Sequence, residues 1–575
     1  MDTALLEKAL AWRDADPDPE TASEVDRLLA AGDEVELLDR LRAELEFGTA
    51  GLRGLFGAGP NRMNRAVVRR ATAGVARHLL ATVPGAARKG VVIARDARRG
   101  SDDFALEAAG ILAAHGIRAL VFEDRAPTPL GAFAVKELGA AAGIVVTASH
   151  NPPAYNGYKV YWDNGAQIVP PVDSGIASFI AAAGPANALP FMPRAEAEAE
   201  GLFVSLGEDL ARRYHEAIGK LVLHPGKGRD LVAVYTAMHG VGARFTLEAL
   251  ARSGFTSVHP VREQNEPDGA FPTVSFPNPE EPGALDLALA LCEETKADLL
   301  LANDPDADRL AAGARDAGGE MHVFSGNELG VLLGAYALTQ RTPRPDRPLV
   351  LTTIVSSSQL GVIARDLGAS YAETLTGFKW IENRALELER EENRTTVFGY
   401  EEALGYSVGD VVRDKDGISA ALVFADLAGW CRTRGLTPWG WLEELQRAHG
   451  LFLSAQKSVT ISGAEGAATI AAIMNGFRQR PPTVIGGLAV EETRDYGAGF
   501  AGLPPSNVVA YLLEGGSRVT LRPSGTEPKI KYYFELRESP QDGEDLPTAK
   551  RRGESRLAAL VAGFVRLAID RGQPA

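Results

Sequence analysis

Apolar runs of strand length alternate with helical patterns from residue 91 onwards, and that alternation restricts the chain to a layered α/β architecture. Residues 91–94, a helical stretch over 103–115 and residues 118–122 read as one βαβ unit. The same alternation returns at 230–235 and at 349–354, which predicts three similar α/β units with Gly- or Ser-bearing turns after their first strands. An N-terminal helical extension, roughly 3–45, precedes the first unit. Near Gly450 the pattern changes to shorter strands and turns and closes with a helix over about 549–569, as expected of a smaller α+β domain. A length of 575 residues suits roughly three to five domains, and 45% hydrophobic content is ample for their cores.

Four polar segments stand where strands are expected to end, the place where open α/β sheets bind ligands. Thr147-Ala148-Ser149-His150-Asn151-Pro152 follows the apolar run 143–146, and Pro152 and Pro153 keep Ser149 out of a helix, so one hydroxyl is presented in a turn. Asn303-Asp304-Pro305-Asp306-Ala307-Asp308-Arg309 follows the run 297–302. Its alternating carboxylates can converge on a hard divalent cation, and Mg²⁺ suits such oxygen donors and is commonly completed by a phosphate. Leu521-Arg522-Pro523-Ser524-Gly525-Thr526-Glu527-Pro528-Lys529 lies between strand-like runs 518–521 and 530–534. The hydroxyls of Ser524 and Thr526, the backbone exposed at Gly525, and the cations Arg522 and Lys529 match a phosphate dianion. In Gly399-Tyr400-Glu401-Glu402-Ala403-Leu404-Gly405, adjacent carboxylates can accept hydrogen bonds from vicinal sugar hydroxyls. Taken singly, each segment has a plain alternative as a solvated or self-bonded turn.

In this order and at these separations the four segments resemble the α-D-phosphohexomutase family of phosphoglucomutases, phosphomannomutases and related phosphopentose enzymes. The resemblance spans nearly the whole chain. It includes Phe47-Gly48-Thr49-Ala50-Gly51-Leu52-Arg53-Gly54, Tyr235-Thr236-Ala237-Met238-His239-Gly240-Val241-Gly242 and Thr374-Leu375-Thr376-Gly377-Phe378-Lys379-Trp380. It implies a heart-shaped molecule of three α/β domains and a smaller α+β domain, each giving one loop to a central cleft. The expected domains are 1–210, with the helical extension and phosphoserine loop; 211–325, with the Mg²⁺ loop; 326–450, with the sugar loop; and 451–575, with the phosphate loop. Ser149 is then the phosphoserine, and its phosphoryl group passes to a sugar monophosphate to give a bound bisphosphate. Asp304, Asp306, Asp308 and a phosphoserine oxygen hold Mg²⁺. Arg309, Gly377, Lys379, Glu401, Glu402 and Lys415 serve the substrate, while Arg522, Ser524, Gly525, Thr526 and Lys529 hold the phosphate that is not reacting.

Phosphoryl transfer is dominated by positioning and charge stabilisation, which the resemblance assigns to Mg²⁺ with Arg53, Lys159 and Arg309. A serine hydroxyl also needs a base. Lys159 matches the family lysine near that role, on the argument that a crowded cationic site lowers its pKa, with pure charge neutralisation as the alternative. His150 is expected to orient the loop rather than to act as a base. Ala403 stands where the family often carries serine, which removes one hydroxyl expected at the sugar or its phosphate; glucose is the first expected sugar for its breadth in the branch the chain resembles, with mannose and pentose phosphates as alternatives. The Gly-Phe-Lys-Trp loop, Asp414-Lys415-Asp416-Gly417 and the N-terminal extension look more like the bacterial glucose, mannose and phosphopentose branch. Outside the mutases, a metal-dependent sugar phosphatase would have little use for a second phosphate site. A non-catalytic sugar-phosphate sensor would not need Ser149, three aspartates and Lys159, and a sugar-bisphosphate synthase would consume a separate donor.

A net charge of −15 argues against nucleic acid and anionic membranes as partners. It is compatible with a phosphosugar, because screening over about 8 Å lets Arg53, Lys159, Lys379, Arg522 and Lys529 dominate the cleft. Cys292 and Cys431, the two cysteines, stand in apolar helical settings and are expected as buried free thiols. The acidic first twenty residues do not read as a leader and no apolar run reaches eighteen residues, so a cytoplasmic protein is expected, as a monomer or homodimer.

Overall fold

The computed structural model describes residues 2–46, 51–461, 466–524, 529–541 and 543–572. Phe47, Gly48, Thr49 and Ala50 of the first motif, and Gly525 and Thr526 of the expected phosphate loop, lie outside the described residues.

Three mixed sheets share one plan. In the first, Ala119–Phe122, Val91–Arg95 and Ala142–Val146 are parallel neighbours, and Tyr155–Trp162 returns antiparallel beside the last of them. Leu52–Leu55 extends that side, and Phe203–Leu206 the other. The second sheet repeats the plan with Val258–Pro260, Ala233–Thr236, Leu299–Asn303 and antiparallel Leu310–Arg315, and Met321–Val323 forms its edge. The third consists of Ser370–Thr374, Pro348–Thr353, Thr395–Glu401 and antiparallel Gly405–Val408. In each unit the serine, aspartate or glutamate turn is the hairpin between the third parallel strand and its antiparallel partner. The Gly- or Ser-bearing loop after the first strand lies beside that hairpin, because the first and third strands are neighbours.

Continuous burial explains why the central strands read as apolar runs. Val91–Ile93, Ala142–Val146 and Leu299–Asn303 are buried throughout, as parallel strands covered by helices on both faces must be. Enclosing a side chain such as Ile144 or Leu300 contributes about 2 kcal/mol. Helix Gly417–Thr433, capped by the Asp416 carboxylate on Ile418 N and Ser419 N, packs on Ala243–Arg252 of the second unit, and one core runs through the first three units. The expected 210/211 division falls inside helix Glu208–Gly219. The N-terminal extension is three helices, Thr3–Ala15, Pro19–Ala31 and Glu34–Leu41, around a small core of their own.

The last unit is a six-stranded antiparallel sheet covered by helices Gly466–Gln479 and Leu546–Gly572. Apart from Val484–Ile485, its strands are not shorter than those before. Leu451–Thr460 and Lys529–Glu538 have ten residues each, and their alternation of polar and apolar residues concealed their length from a search for apolar runs. This unit meets the third one through Tyr496, Val508, Ala510 and Tyr533 against Ile354, Val355 and Leu375. Arg518 donates to the Ser356 carbonyl and to Glu373, and Ser358 donates to Glu535. Both cysteines are free and buried. Among the described residues no helix is long and apolar enough to cross a membrane.

Candidate active site

Ser149 occupies its hairpin with φ of 50°, the left-handed region that a residue bearing a Cβ enters at a cost of about 1 kcal/mol. The surroundings enforce that conformation. Ser149 N–H donates to Thr147 Oγ1 at 2.9 Å. The buried Arg98 guanidinium donates to the carbonyls of Ser149 and Asn151 at 2.6 Å, of Pro152 at 2.8 Å and of Tyr155 at 3.1 Å. Ser149 Oγ donates to Asp304 Oδ2 at 2.8 Å and lies 3.2 Å from His150 Nδ1. Burial, then the cations Arg309 and Arg53, hold His150 well below its ordinary pKa, so a neutral ring faces the hydroxyl.

Asp304, Asp306 and Asp308 are all buried and offer carboxylate oxygens within 4.8 Å of one another. Ala307, with φ of 55°, turns the chain so that alternate side chains converge. Lys159 Nζ donates to Asp306 Oδ2 at 2.7 Å and to Asp308 Oδ2 at 2.8 Å. Burial acts to lower the Lys159 pKa, but Asp306, Asp308 and Asp414 outweigh it and raise the value above that of a free lysine. The expected shift toward neutrality is therefore reversed, because carboxylates rather than cations surround the ammonium. Burial also raises carboxylates, yet Lys159 holds Asp306 and Asp308 below their ordinary range. Asp304, buried beside two like charges, is pushed well above it. Asp306 Oδ1 and Asp308 Oδ1 are buried without a hydrogen-bond partner. Two orphaned oxygens in an all-carboxylate set fit a hard cation such as Mg²⁺.

The remaining expected residues surround this cluster unevenly. Arg53 donates to Asn151 Oδ1 at 2.9 Å. Arg309 donates its N–H to Asp304 Oδ1 at 3.0 Å and its guanidinium to the Ala403 carbonyl at 2.9 Å, tying the aspartate turn to the glutamate turn. Lys415, expected at the sugar, stands 3.2 Å from Asp308 Oδ2 and 3.4 Å from Asp414 Oδ1. Gly377, with φ of 110°, donates its N–H to Glu401 Oε1 at 3.0 Å. Glu402 Oε2 accepts from Ser356 Oγ at 2.9 Å and Thr353 Oγ1 at 3.1 Å. Lys379 is half-buried, 5.6 Å from the Trp380 ring centre, and burial lowers its pKa against the opposing pull of Asp173. Ser524 N–H donates to the Lys529 carbonyl at 2.7 Å, closing the loop that Arg522 opens.

Two residues escaped sequence reading. Arg98 follows the first strand in Asp96-Ala97-Arg98, where a charged residue reads as loop until its four carbonyl partners are seen. Lys531 pairs directly across from Arg522. The period of two that sets Lys531, Tyr533 and Glu535 on one face was the available signal. Tyr533 and Glu535 anchor that face on the third unit, and the half-buried Lys531 has its pKa lowered by burial and by Arg522, against the pull of Glu402 and Glu280.

Burial, with Glu401 beside it, raises Glu402 to about 7 from an ordinary 4.5. A carboxyl with a raised folded pKa binds its proton more tightly in the native chain, so its ionisation costs stability increasingly from pH 4.5 to 7 and fully above. Glu402→Gln is accordingly expected to be more stable than the parent at pH 8, by about 2 kcal/mol, and to converge with it near pH 4.5. Denaturant melts at the two pH values check this, and equal stabilities at pH 8 would refute it.

Four family models match in order along the chain: phosphoglucomutase/phosphomannomutase α/β/α domain I over residues 44–186, domain II over 212–318, domain III over 325–445 and the C-terminal domain over 477–549. A human protein named phosphopentomutase is 37% identical, covering 96% of this chain and 95% of its own. A probable phosphomannomutase from Haemophilus influenzae is 39% identical, over 84% and 95%. Human glucose 1,6-bisphosphate synthase is 34% identical, over 98% and 94%. In fold, the chain is similar to a putative phosphomannomutase from Thermus thermophilus, with a TM-score of 0.68, 24% identity and coverage of 91% and 99%. The three mixed sheets with their antiparallel fourth domain, and the matches that run through all of them, show that the chain belongs to the phosphoglucomutase/phosphomannomutase family of phosphotransferase isomerases.

Proposed function

We propose that the chain interconverts a sugar 1-phosphate and its terminal-phosphate isomer, with α-glucose 1-phosphate and glucose 6-phosphate as the first pair, through phosphorylated Ser149 and a sugar bisphosphate. The observation that carries this reading is the strained Ser149 hydroxyl bonded to Asp304 at the mouth of an oxygen-only carboxylate cluster. Bound by Asp304, Asp306 and Asp308, Mg²⁺ supplies charge neutralisation to the phosphoryl oxygens.

The chain's own groups do the rest. Phosphorylated Ser149 passes its phosphoryl group to a hydroxyl of the sugar monophosphate; the bisphosphate turns over, and Ser149 Oγ takes the other phosphoryl group back. Lys159, held protonated by Asp306 and Asp308, acts as fixed positive charge, and His150 holds the hydroxyl through Nδ1. Arg53 and Arg309 flank the reacting phosphate, Glu401 and Glu402 accept from sugar hydroxyls, and Gly377, Lys379 and Lys415 complete the wall. Arg522, Ser524, Gly525, Thr526 and Lys529 hold the second phosphate. Pentose phosphate is a second reading, favoured by Ala403, which offers no hydroxyl to the sugar, and by the name of the human relative.

A ³¹P NMR time course with Mg²⁺, a trace of sugar bisphosphate, and in turn glucose 1-phosphate, mannose 1-phosphate and ribose 1-phosphate tests the reading. Growth of a 6-phosphate or 5-phosphate resonance without inorganic phosphate is expected, and the rates rank the sugars. Inorganic phosphate as the sole product would replace the mutase with a phosphatase.

A further inference from the structure

The motif Tyr235 to Gly242 takes no part in the chemistry above, yet it holds two consecutive left-handed residues, Met238 with φ of 49° and His239 with φ of 60°. Strain of this kind persists only where surroundings over-determine it, and it gathers at functional sites. Nine non-glycine residues among those described have positive φ, and five of them, Ser149, Met238, His239, Phe271 and Ala307, lie along one path of contacts.

The path begins at the aspartate turn. A β-carbon at Gly240 would lie 2.5 Å from the Pro305 carbonyl oxygen, and one at Gly242 would lie 2.7 Å from Ala307 Cβ, so only glycine permits this approach. Val241 N–H donates to the Pro305 carbonyl at 2.8 Å. The His239 carbonyl then accepts from Asp268 N–H at 2.9 Å, and His239 Nε2 meets Thr273 Oγ1 at 2.9 Å. From Asp268 the chain passes Gly269, where a β-carbon would stand 2.5 Å from the Ala97 carbonyl oxygen and 2.7 Å from Arg98 Cα. Phe271 lays its ring 4.9 Å from Arg98 Cζ. Arg98 ends the path with its four bonds to the serine turn. Gly240 and Gly269 are not in the left-handed region, so they are present for close approach alone.

We propose that the 237–242 loop, the 268–271 loop and Arg98 form a spacer that sets the distance between the Ser149 turn and the aspartate turn, so that Gly240, Gly269, Phe271 and Arg98 are positioning residues for phosphoryl transfer. The direct bond from Ser149 to Asp304 cannot do this alone, because it must break whenever Ser149 Oγ carries a phosphoryl group. The spacer bonds to the backbones of both turns rather than to Ser149 Oγ or the Asp304 carboxylate, and so holds them through the whole cycle. This inference rests on Ser149 as the phosphoryl carrier.

Gly269→Ala and Gly240→Ala wedge the two ends of the spacer without altering any side chain in the cleft. Each is expected to lower kcat by about 10-fold or more while KM for the sugar phosphate changes less than about 3-fold, since misplacement by a fraction of an ångström penalises transfer and spares binding. Single-turnover transfer from phosphorylated Ser149, followed by intact mass, is expected to slow in parallel. Phe271→Leu, which removes only the ring over Arg98, is the second test and is expected to shift kcat in the same direction. Unchanged kcat in a folded glycine variant, or a loss confined to KM, overturns the proposal. Failure of all three variants to fold assigns the path to stability alone and overturns it too. A Ser149→Ala control separates the two readings: its retention of activity removes the phosphoserine, whereas an inactive control beside normal spacer variants removes only the spacer.

Discussion

Ser149→Ala is expected to lower kcat by about 10⁴-fold or more and to leave the fold intact. The proposed carrier has no like substitute, because among the described residues the other hydroxyl bonded to the aspartate cluster is that of Thr128, whose Oγ1 donates to Asp306 Oδ2 rather than to Asp304. The backbone has little reason to change. Alanine carries the same Cβ into the left-handed region, and the four Arg98 bonds to main-chain carbonyls do not involve the side chain. The loss of one hydrogen bond to Asp304 removes about 1 kcal/mol. A coupled assay, a thermal melt and phosphate incorporation from sugar bisphosphate check the three parts. Residual turnover above about 1% of wild type would sink the assignment.

The aspartates are expected to divide by stability although each is expected to be needed for activity. Asp308→Ala leaves Lys415 without its carboxylate at 3.2 Å and Lys159 with one carboxylate in place of two, both ammonium groups being buried. Removing one partner from a buried ion pair costs about 3 kcal/mol. Asp304→Asn works in the opposite sense. The Asp304 carboxyl is raised well above its ordinary pKa by burial and by Asp306 and Asp308, so its ionisation at neutral pH opposes folding, and a neutral amide removes that cost. Melts in EDTA at pH 7 are expected to place Asp304→Asn at or above the parent and Asp308→Ala clearly below, while both lose at least about 10²-fold in kcat. Equal melting temperatures would refute the division of charge described for the cluster.

Much of the fold was legible because parallel strands buried on both faces leave an unmistakable mark. Residues 91–94 and 349–354 were recognisable from their apolar runs, and Val91–Arg95 and Pro348–Thr353 are strands. Of the ten-residue strands of the last unit, Lys529–Glu538 showed only its middle, 530–534, and Leu451–Thr460 did not show, because a sheet covered on one face alternates residue by residue. The order of the segments revealed the family, and the strand ends on which Ser149, Asp304 and Glu401 stand could be read from the sequence. The electrostatic state of Lys159 could not. It depends on which carboxylates the turn of the second sheet brings to it, and Asp306 is 147 positions away along the chain. Arg98 and the glycines at 240 and 269 remained silent for a related reason, since their significance lies in what approaches them.

The Arg309 link between the second and third turns ends on a backbone carbonyl, that of Ala403, so it is blind to the side chain at 403. Three turns at one topological address, each on its own sheet, make the cleft an assembly of separable parts. On the proposed function, natural selection can therefore exchange residue 403 and its neighbours to follow a new sugar while the Ser149 and aspartate turns of the first two units are inherited unchanged.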